Sequence, residues 1–328
     1  VLKDHRDLKP AEEEIIQAAV ETLTHPIKIA LRQSGKVEDE RFKAFCNDIS
    51  RISPRFLIEN VKNDNEMGTA LLIGTRLTYQ AIPEAKELPP FLDILAAKYG
   101  TAHKFPAPLK KTLSALQVPA KVEIYIAPQC PFCPLVVGEI APLALASDWI
   151  QVTIIDSVLF PGTAEKQDIR SVPTLILNDE IRWTGNVAAE EVVRMMLSRD
   201  PADLSAASLR NMIEEGGANR VAQMMMSRGQ IFSALISLLA DEKWSIRLGA
   251  MVVLETIAEA DNALAVEVID PIWEKFHGAS DPVRGDILYL LGEIGHPHAI
   301  EMIRSVIHNG YADEVVESAE EALLKCKG

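Results

Sequence analysis

Two cysteines separated by two residues, Cys130-Pro131-Phe132-Cys133, are the side chains in this 328-residue sequence best placed to do chemistry. The nucleophile of disulfide exchange is a thiolate, so an attacking cysteine needs a lowered pKa and access to solvent. The first turn of a helix supplies both, because its free backbone N–H groups and the positive end of the helix dipole favour a nearby negative charge. Cys130 follows an apolar, strand-like stretch at residues 122–126 and opens a helical pattern, so it falls at such a turn. Two intervening residues keep Cys133 within one turn, close enough to attack a mixed disulfide on Cys130. Pro131 fits a first helical turn, where the N–H it lacks would have had no helical acceptor. The competing reading is half a zinc site, which needs two further Cys or His ligands, usually as a second close pair. Cys46 and Cys326 are solitary, and His296 and His298 fall in a helical-repeat region, so the pair reads as redox-active.

The elements that must position this pair come in three stretches. In residues 11–105 an amphipathic helix over 12–23 is broken at His25-Pro26, and residues 27–31 alternate like a strand. Helical spacing returns over 38–52, strands follow at 55–58, 69–73 (ended by Gly74) and 76–80, and a helix covers 88–98. Residues 106–199 repeat the pattern, with a short helical piece at 111–117, a strand at 122–126 and a helix over 130–146 disturbed at Pro142. A strand at 150–155, a helix at 163–168, strands at 174–177 and 181–183 and a helix at 188–197 complete it. The order β-α-β-α-β-β-α, met twice at about 95-residue spacing, predicts an internal duplication. From about Leu204 strand signals vanish, and helical patterns cover 230–240, 245–260, 263–276, 283–294, 299–307 and 312–325. Related turns recur at Asp241 to Arg247 (D-E-K-W-S-I-R), at Asp281-Pro282-Val283-Arg284 and, more weakly, at Asp313-Glu314-Val315-Val316. Recurrence at roughly 30 to 40 residues with two helices per unit predicts stacked helical hairpins. The expected domains are 1–105, 106–202 and 203–328, with joints at Asp200-Pro201 and Gly216-Gly217.

Residues 11–199 resemble the tandem thioredoxin-fold module at the N-terminus of the flavoprotein component of alkyl hydroperoxide reductase; archaeal protein disulfide oxidoreductases, with two glutaredoxin-like halves, are similar. The likeness is carried by Glu123-Ile124-Tyr125, by Cys130 to Val137 (C-P-F-C-P-L-V-V), and by Ser171 to Leu177 with Asn178-Asp179-Glu180. It implies α/β tandem thioredoxin-like folds, the first half degenerate and the second active. Where the first half would carry its pair, the sequence reads Arg32-Gln33-Ser34-Gly35, and Cys46 reads as a small buried apolar side chain. The resemblance also implies that Ser171-Val172-Pro173-Thr174 sets a cis proline against the cysteine pair, since only X–Pro bonds adopt cis cheaply. Val172, Thr174, Pro131 and Phe132 would then meet the incoming polypeptide. Thioredoxins carry a buried acid six positions before the first cysteine, but here that position is Ile124, and Glu123 points to the opposite face of the strand. In the reductase module a glutamate of the degenerate half fills this role, within P-x-x-x-E followed by F or L, and Pro83-Glu84-Ala85-Lys86-Glu87-Leu88 matches that stretch. Glu87 is therefore the candidate base for the resolving thiol, a task suited to a partly buried carboxylate of raised pKa. The alternative is that it caps the following helix. Asp281 to Gly295 resembles short HEAT repeats of the phycobilisome-lyase type, which implies a scaffold that binds a protein partner.

The formal charge of −14 argues against nucleic-acid or anionic-membrane partners, which reward clustered Lys and Arg. Residues 205–328 hold 10 basic and 19 acidic side chains, most of the excess. No apolar run approaches the roughly 18 to 20 residues of a membrane span. Four cysteines are too few for a disulfide framework, and the charged start lacks a signal-like apolar stretch, so a cytoplasmic location is expected. No G-x-G-x-x-G fingerprint follows a strand, so the cysteine pair is expected to work without a cofactor. The leading expectation is a thiol–disulfide oxidoreductase that links an upstream reductase to a protein dithiol or disulfide substrate. Its rivals are a redox-sensitive adaptor whose acidic repeats are the working surface, and tetrapyrrole chemistry of the bilin-lyase kind. C-P-F-C lies closer to the glutaredoxin C-P-Y-C than to the thioredoxin C-G-P-C.

Overall fold

Among the described residues, short alternating or continuous apolar runs form eight strands, and these join in one sheet. The computed structural model describes residues 8–326 except 22, 24, 62–66 and 101–103. The chain divides into two compact units, Val1–Ser198 and Arg199–Gly328.

In the first unit α1 (Pro10–Glu21), β1 (Ile27–Arg32), α2 (Glu38–Ile52), β2 (Phe56–Val61), β3 (Ala70–Ile73) and β4 (Leu77–Gln80) lead to a 3-10 turn (Ala85–Glu87) and α3 (Leu88–Tyr99). Then come α4 (Ala107–Ser114), β5 (Ala120–Ile126), α5 (Cys133–Ile140), α6 (Leu143–Ala146) and β6 (Ile150–Asp156), followed by α7 (Pro161–Lys166), β7 (Thr174–Leu177), β8 (Ile181–Thr184) and α8 (Ala189–Ser198). The sheet order is β2-β1-β3-β4-β6-β5-β7-β8. The same pairing occurs twice: β1 lies parallel to β2 and antiparallel to β3, which pairs with β4, and β5 stands in the same way to β6 and β7, which pairs with β8. Parallel pairing of β4 with β6 fuses the two copies. The copies differ in their helices: α7 links β6 to β7, whereas no helix appears between β2 and β3 among the described residues, and α2 is continuous where the second copy has α5 and α6. The helix read over 130–146 is split at Ala141-Pro142, where proline removes a helical donor. Gly74, at φ +68°, turns the chain between β3 and β4.

The second unit opens with a 3-10 turn (Pro201–Asp203). It continues through α9 (Ala206–Glu214), α10 (Ala218–Arg228), α11 (Ser233–Leu239), α12 (Trp244–Ala260), α13 (Asn262–Ala265) and a 3-10 turn (Val266–Val268) to α14 (Ile269–Phe276), α15 (Asp281–Ile294), α16 (Pro297–His308) and α17 (Asp313–Lys325). Sequence reading missed α9 and α10, and Gly216-Gly217 lies between them rather than at a joint. The recurring turns have a physical purpose. Arg247 donates to the carbonyls of Asp241 (2.7 Å) and Glu242 (3.1 Å), and Arg284 to those of Phe276 (3.2 Å) and His277 (3.1 Å). Arg247 thus ties the turn after α11 to α12, and Arg284 ties the end of α14 to α15. A Cβ on Gly292 would meet the Ala322 Cα at 3.0 Å, so glycine lets α15 and α17 approach closely.

Candidate redox-active site

Cys130 and Cys133 form a disulfide with their Cα atoms 5.6 Å apart. The chain leaves β5 at Ile126, turns through a bond from the Cys130 N–H to the Ala127 carbonyl (3.0 Å), and enters α5 at Cys133. Cys130 therefore stands just before the helix, not in it, and Pro134 rather than Pro131 occupies the first turn. The Cys130 N–H is spent on the Ala127 carbonyl, and helical bonding starts only at Cys133. The electrostatics survive, because the Cys133 N–H, the first of the helix, donates to Cys130 Sγ at 3.1 Å. Cys130 is 7% exposed and Cys133 0%, so Cys130 is the less buried of the pair.

The Val172–Pro173 peptide is cis, and the Val172 carbonyl oxygen lies 3.6 Å from Cys130 Sγ. Val172 rests on a cluster of Tyr125, Ile155, Ala164 and Ile176. Thr174 turns inward, its hydroxyl donating to the Ser171 carbonyl at 2.8 Å, so its side chain holds the turn and offers no surface to a substrate. Pro131 and Phe132 are exposed, as are Leu135 on α5 and Val158. The loop of Val158 is tied to the end of β5 by a bond from the Ser157 N–H to the Ile126 carbonyl (2.9 Å). Leu135 and Val158 escaped sequence reasoning, since an isolated apolar residue signals nothing until its exposure is known.

Glu87 ends the 3-10 turn that packs on α5, the helix that begins at Cys133. It is buried, and it makes no side-chain cap to α3. Neither carboxylate oxygen has a hydrogen-bond partner among the described residues. Glu87 occupies the N-cap position of α3 without a capping hydrogen bond from its side chain. Burial, and secondarily the charge of Asp156, raise its pKa to about 7. Asp156, which the sequence did not flag, ends β6 opposite Ile126 and accepts from the N–H groups of Val158 (2.8 Å) and Leu159 (3.1 Å). Its burial outweighs those bonds and raises its pKa too. The buried Tyr79 hydroxyl has no partner either, and burial and the Glu87 charge keep it protonated. The turn carrying Glu87 is anchored from α1: Glu12 accepts from the Ala85 N–H (2.8 Å), and Ala85 is held at φ +50°. Glu123 lies on the other face of β5, bonded by the Tyr125 hydroxyl (2.8 Å), while Ile124 is fully buried.

The equivalent place in the first copy is closed by hydrogen bonds. Asp39 accepts from the N–H groups of Ser34 (2.9 Å) and Gly35 (2.8 Å) and from the Thr69 hydroxyl, which also meets Ser34 Oγ at 2.8 Å. Burial raises the Asp39 pKa, but these bonds together bring it below its ordinary value. Thr69 precedes β3 as Pro173 precedes β7. Cys46 is buried in α2, which pushes its thiol up to about 12. Among the described residues no group of three or more His, Cys, Asp or Glu side chains could hold a metal ion, and no helix is long and apolar enough to cross a membrane.

A cysteine pair between a central strand and a helix, facing a proline that opens the neighbouring antiparallel strand, defines a thioredoxin-fold redox domain. The thioredoxin-domain family model matches residues 120–198. A thioredoxin of Methanocaldococcus jannaschii is 30% identical over 82 residues, which cover 24% of this chain and 94% of that protein. Through this domain the chain belongs to the thioredoxin family. An alkyl hydroperoxide reductase component of Xanthomonas campestris pv. phaseoli is 23% identical over 211 residues, 62% of this chain but only 40% of that protein. The chain thus spans well under half the length of such relatives. The crystal structure of a protein disulfide oxidoreductase from Aeropyrum pernix shares the fold, with a TM-score of 0.53 at 17% identity over 59% of this chain and 94% of that one.

Proposed function

We propose that the protein is a dithiol–disulfide oxidoreductase acting on protein thiols and disulfides, its second thioredoxin-like half active, its first degenerate, and its helical, HEAT-like unit binding a protein partner. One observation carries this reading: the less buried sulfur, Cys130 Sγ, sits between the Cys133 N–H (3.1 Å) and the Val172 carbonyl (3.6 Å). The first contact stabilises a thiolate, and the second lies where the backbone of an incoming chain would run.

In the reduced protein the Cys130 thiolate attacks one sulfur of a substrate disulfide. That S–S bond breaks, the departing thiolate takes a proton from solvent, and a mixed disulfide forms on Cys130. Glu87 then accepts the Cys133 proton, and the Cys133 thiolate attacks Cys130 Sγ. The mixed disulfide breaks, Cys130 and Cys133 become a disulfide, and the substrate leaves with two electrons gained. Run in reverse, the oxidised pair takes two electrons from a substrate or from an upstream reductase. The dithiol needs no bound cofactor for these steps, and the cytoplasm is the setting that suits them.

The test is to express Cys133→Ser and look for mixed disulfides. Adducts released by reductant and absent from Cys130→Ser/Cys133→Ser support the proposal; equal adduct yield from the double variant overturns it. Catalytic turnover of an insulin-type disulfide separates an enzyme from a redox-sensitive adaptor, which would oxidise once and stop.

A further inference from the structure

The helical unit carries a groove of about 570 Å³ along α12, α15 and α17 that plays no part in the redox chemistry. Its apolar lining is Trp244, Leu248, Met251 and Tyr289, of which Trp244 is 61% exposed. Glu255, Asp281, Asp286 and Glu314 also line it, against a single cation, Arg247. That cation is already used. Arg247 is buried, its Nε donates to Asp286 at 2.7 Å, and its Nη1 holds the carbonyls of the repeat turn. Asp281 is bonded by Arg284 (2.8 Å), whose guanidinium also lies over the Phe276 and Tyr311 rings. Glu255 and Glu314 form no salt bridge among the described residues, so the groove keeps a negative surplus beside exposed aromatic faces.

One end of this surface shows what it holds. The Lys325 ammonium sits over the Tyr289 ring, 4.1 Å from its centroid, and pairs with Glu293. Aromatic face plus carboxylate is a general device for cations. Glu255 belongs to the same end, hydrogen-bonded to the Tyr289 hydroxyl, and the groove also offers the Trp244 face and the Glu314 carboxylate.

We propose that this groove docks a basic segment of a partner protein. Its Lys or Arg side chains meet Glu255, Glu314 and the Trp244 face, and an apolar residue sits on Leu248 and Met251. This rests on the reading of the helical unit as a binding module. A nucleic acid or another polyanion would meet like charge throughout the groove.

The test uses the full chain and a short fluorescent peptide of alternating Lys and Leu, with a Glu/Leu peptide as control, read by anisotropy. Binding of the Lys/Leu peptide alone is expected, weakened at least about tenfold by Glu255→Gln/Glu314→Gln and by Trp244→Ala. It should be unchanged by Glu301→Gln on α16. Affinity that survives the groove variants but falls with Glu301→Gln places a basic-segment site elsewhere, overturning the groove while the binding module stands. Binding of neither peptide overturns both. Self-association abolished by Trp244→Ala makes a second copy the occupant and also overturns the proposal. Exchange on a small disulfide, measured on every variant, stays at the wild-type rate in each case.

Discussion

At the two sulfurs, the greater exposure and the charge stabilisation fall on the same atom. Cys130 is the less buried one and receives the helix N–H, while Cys133 is fully buried. Cys130→Ser should abolish exchange, Cys133→Ser should accumulate adducts, and alkylation of the reduced protein should label Cys130 first. Faster labelling of Cys133 would reverse the assignment. Glu87 makes a sharper prediction because its pKa rises from an ordinary 4.5 to about 7 on folding. Below the lower value both the folded and unfolded carboxyls hold their proton, and pH does not act through this group. Between the two values only the unfolded chain releases it, so stability declines as pH rises, and the decline is complete above the folded pKa. Its size is on the order of 3 kcal/mol. Denaturant titrations of Glu87→Gln should lose that decline. If Glu87 is also the base, exchange near neutral pH should slow by about 10- to 100-fold. A flattened stability profile with an unchanged rate would leave Glu87 as a buried charge with no catalytic part.

Among the elements, α2 and β7 match the ranges read from sequence, because each is bounded by clear local signals and carries its own period. The start of α5 differs from the sequence expectation because the helical pattern runs through Cys130, whereas the backbone there is still in the turn closed on the Ala127 carbonyl. Helices α9 and α10 lie outside the patterns read from sequence, although α11, which is shorter, was read. Their buried sets, Leu209, Met212 and Ile213 in one and Val221, Ala222 and Met225 in the other, gain meaning only from packing. The β4–β6 pairing that fuses the copies has no local pattern at all. The pair Cys130 and Cys133 was legible from spacing, but Glu87 only through a family stretch, and Asp156 and Tyr79 not at all, since burial creates their chemistry. The anchor of Glu87 belongs to this scale. Glu12 joins α1 to the 3-10 turn by accepting from Lys9 N–H (2.7 Å) and Ala85 N–H (2.8 Å). Glu12→Ala leaves both donors without that acceptor and should lower stability by about 1–3 kcal/mol in urea titrations. Because it loosens the turn that seats Glu87, it should also prolong mixed disulfides in single-turnover exchange. A stability loss with normal resolution would confine Glu12 to structure.

For the molecule as a whole, chemistry and repetition are assigned to different units. Cys130, Cys133, Val172, Pro173, Glu87, Asp156 and the anchor Glu12 all belong to Val1–Ser198, and every strand of the eight-stranded sheet lies there too. The recurring arginine turns and the acidic excess belong to Arg199–Gly328. A unit of roughly 200 residues buries enough surface to fold without help. A fragment ending at residue 202 should therefore unfold cooperatively and keep exchange on small disulfides within about twofold of the full chain, since no reacting or proton-accepting group is removed. Its rate on the physiological protein substrate should fall if the helical unit supplies binding, and should follow the full chain if that unit is only a tether. Circular dichroism melts establish whether the fragment is folded, and turnover of an aromatic disulfide reads the chemistry apart from docking. A well-folded fragment inert toward the aromatic disulfide would mean that the helical unit completes the reacting site, and the division of labour argued from the residues upward would fail.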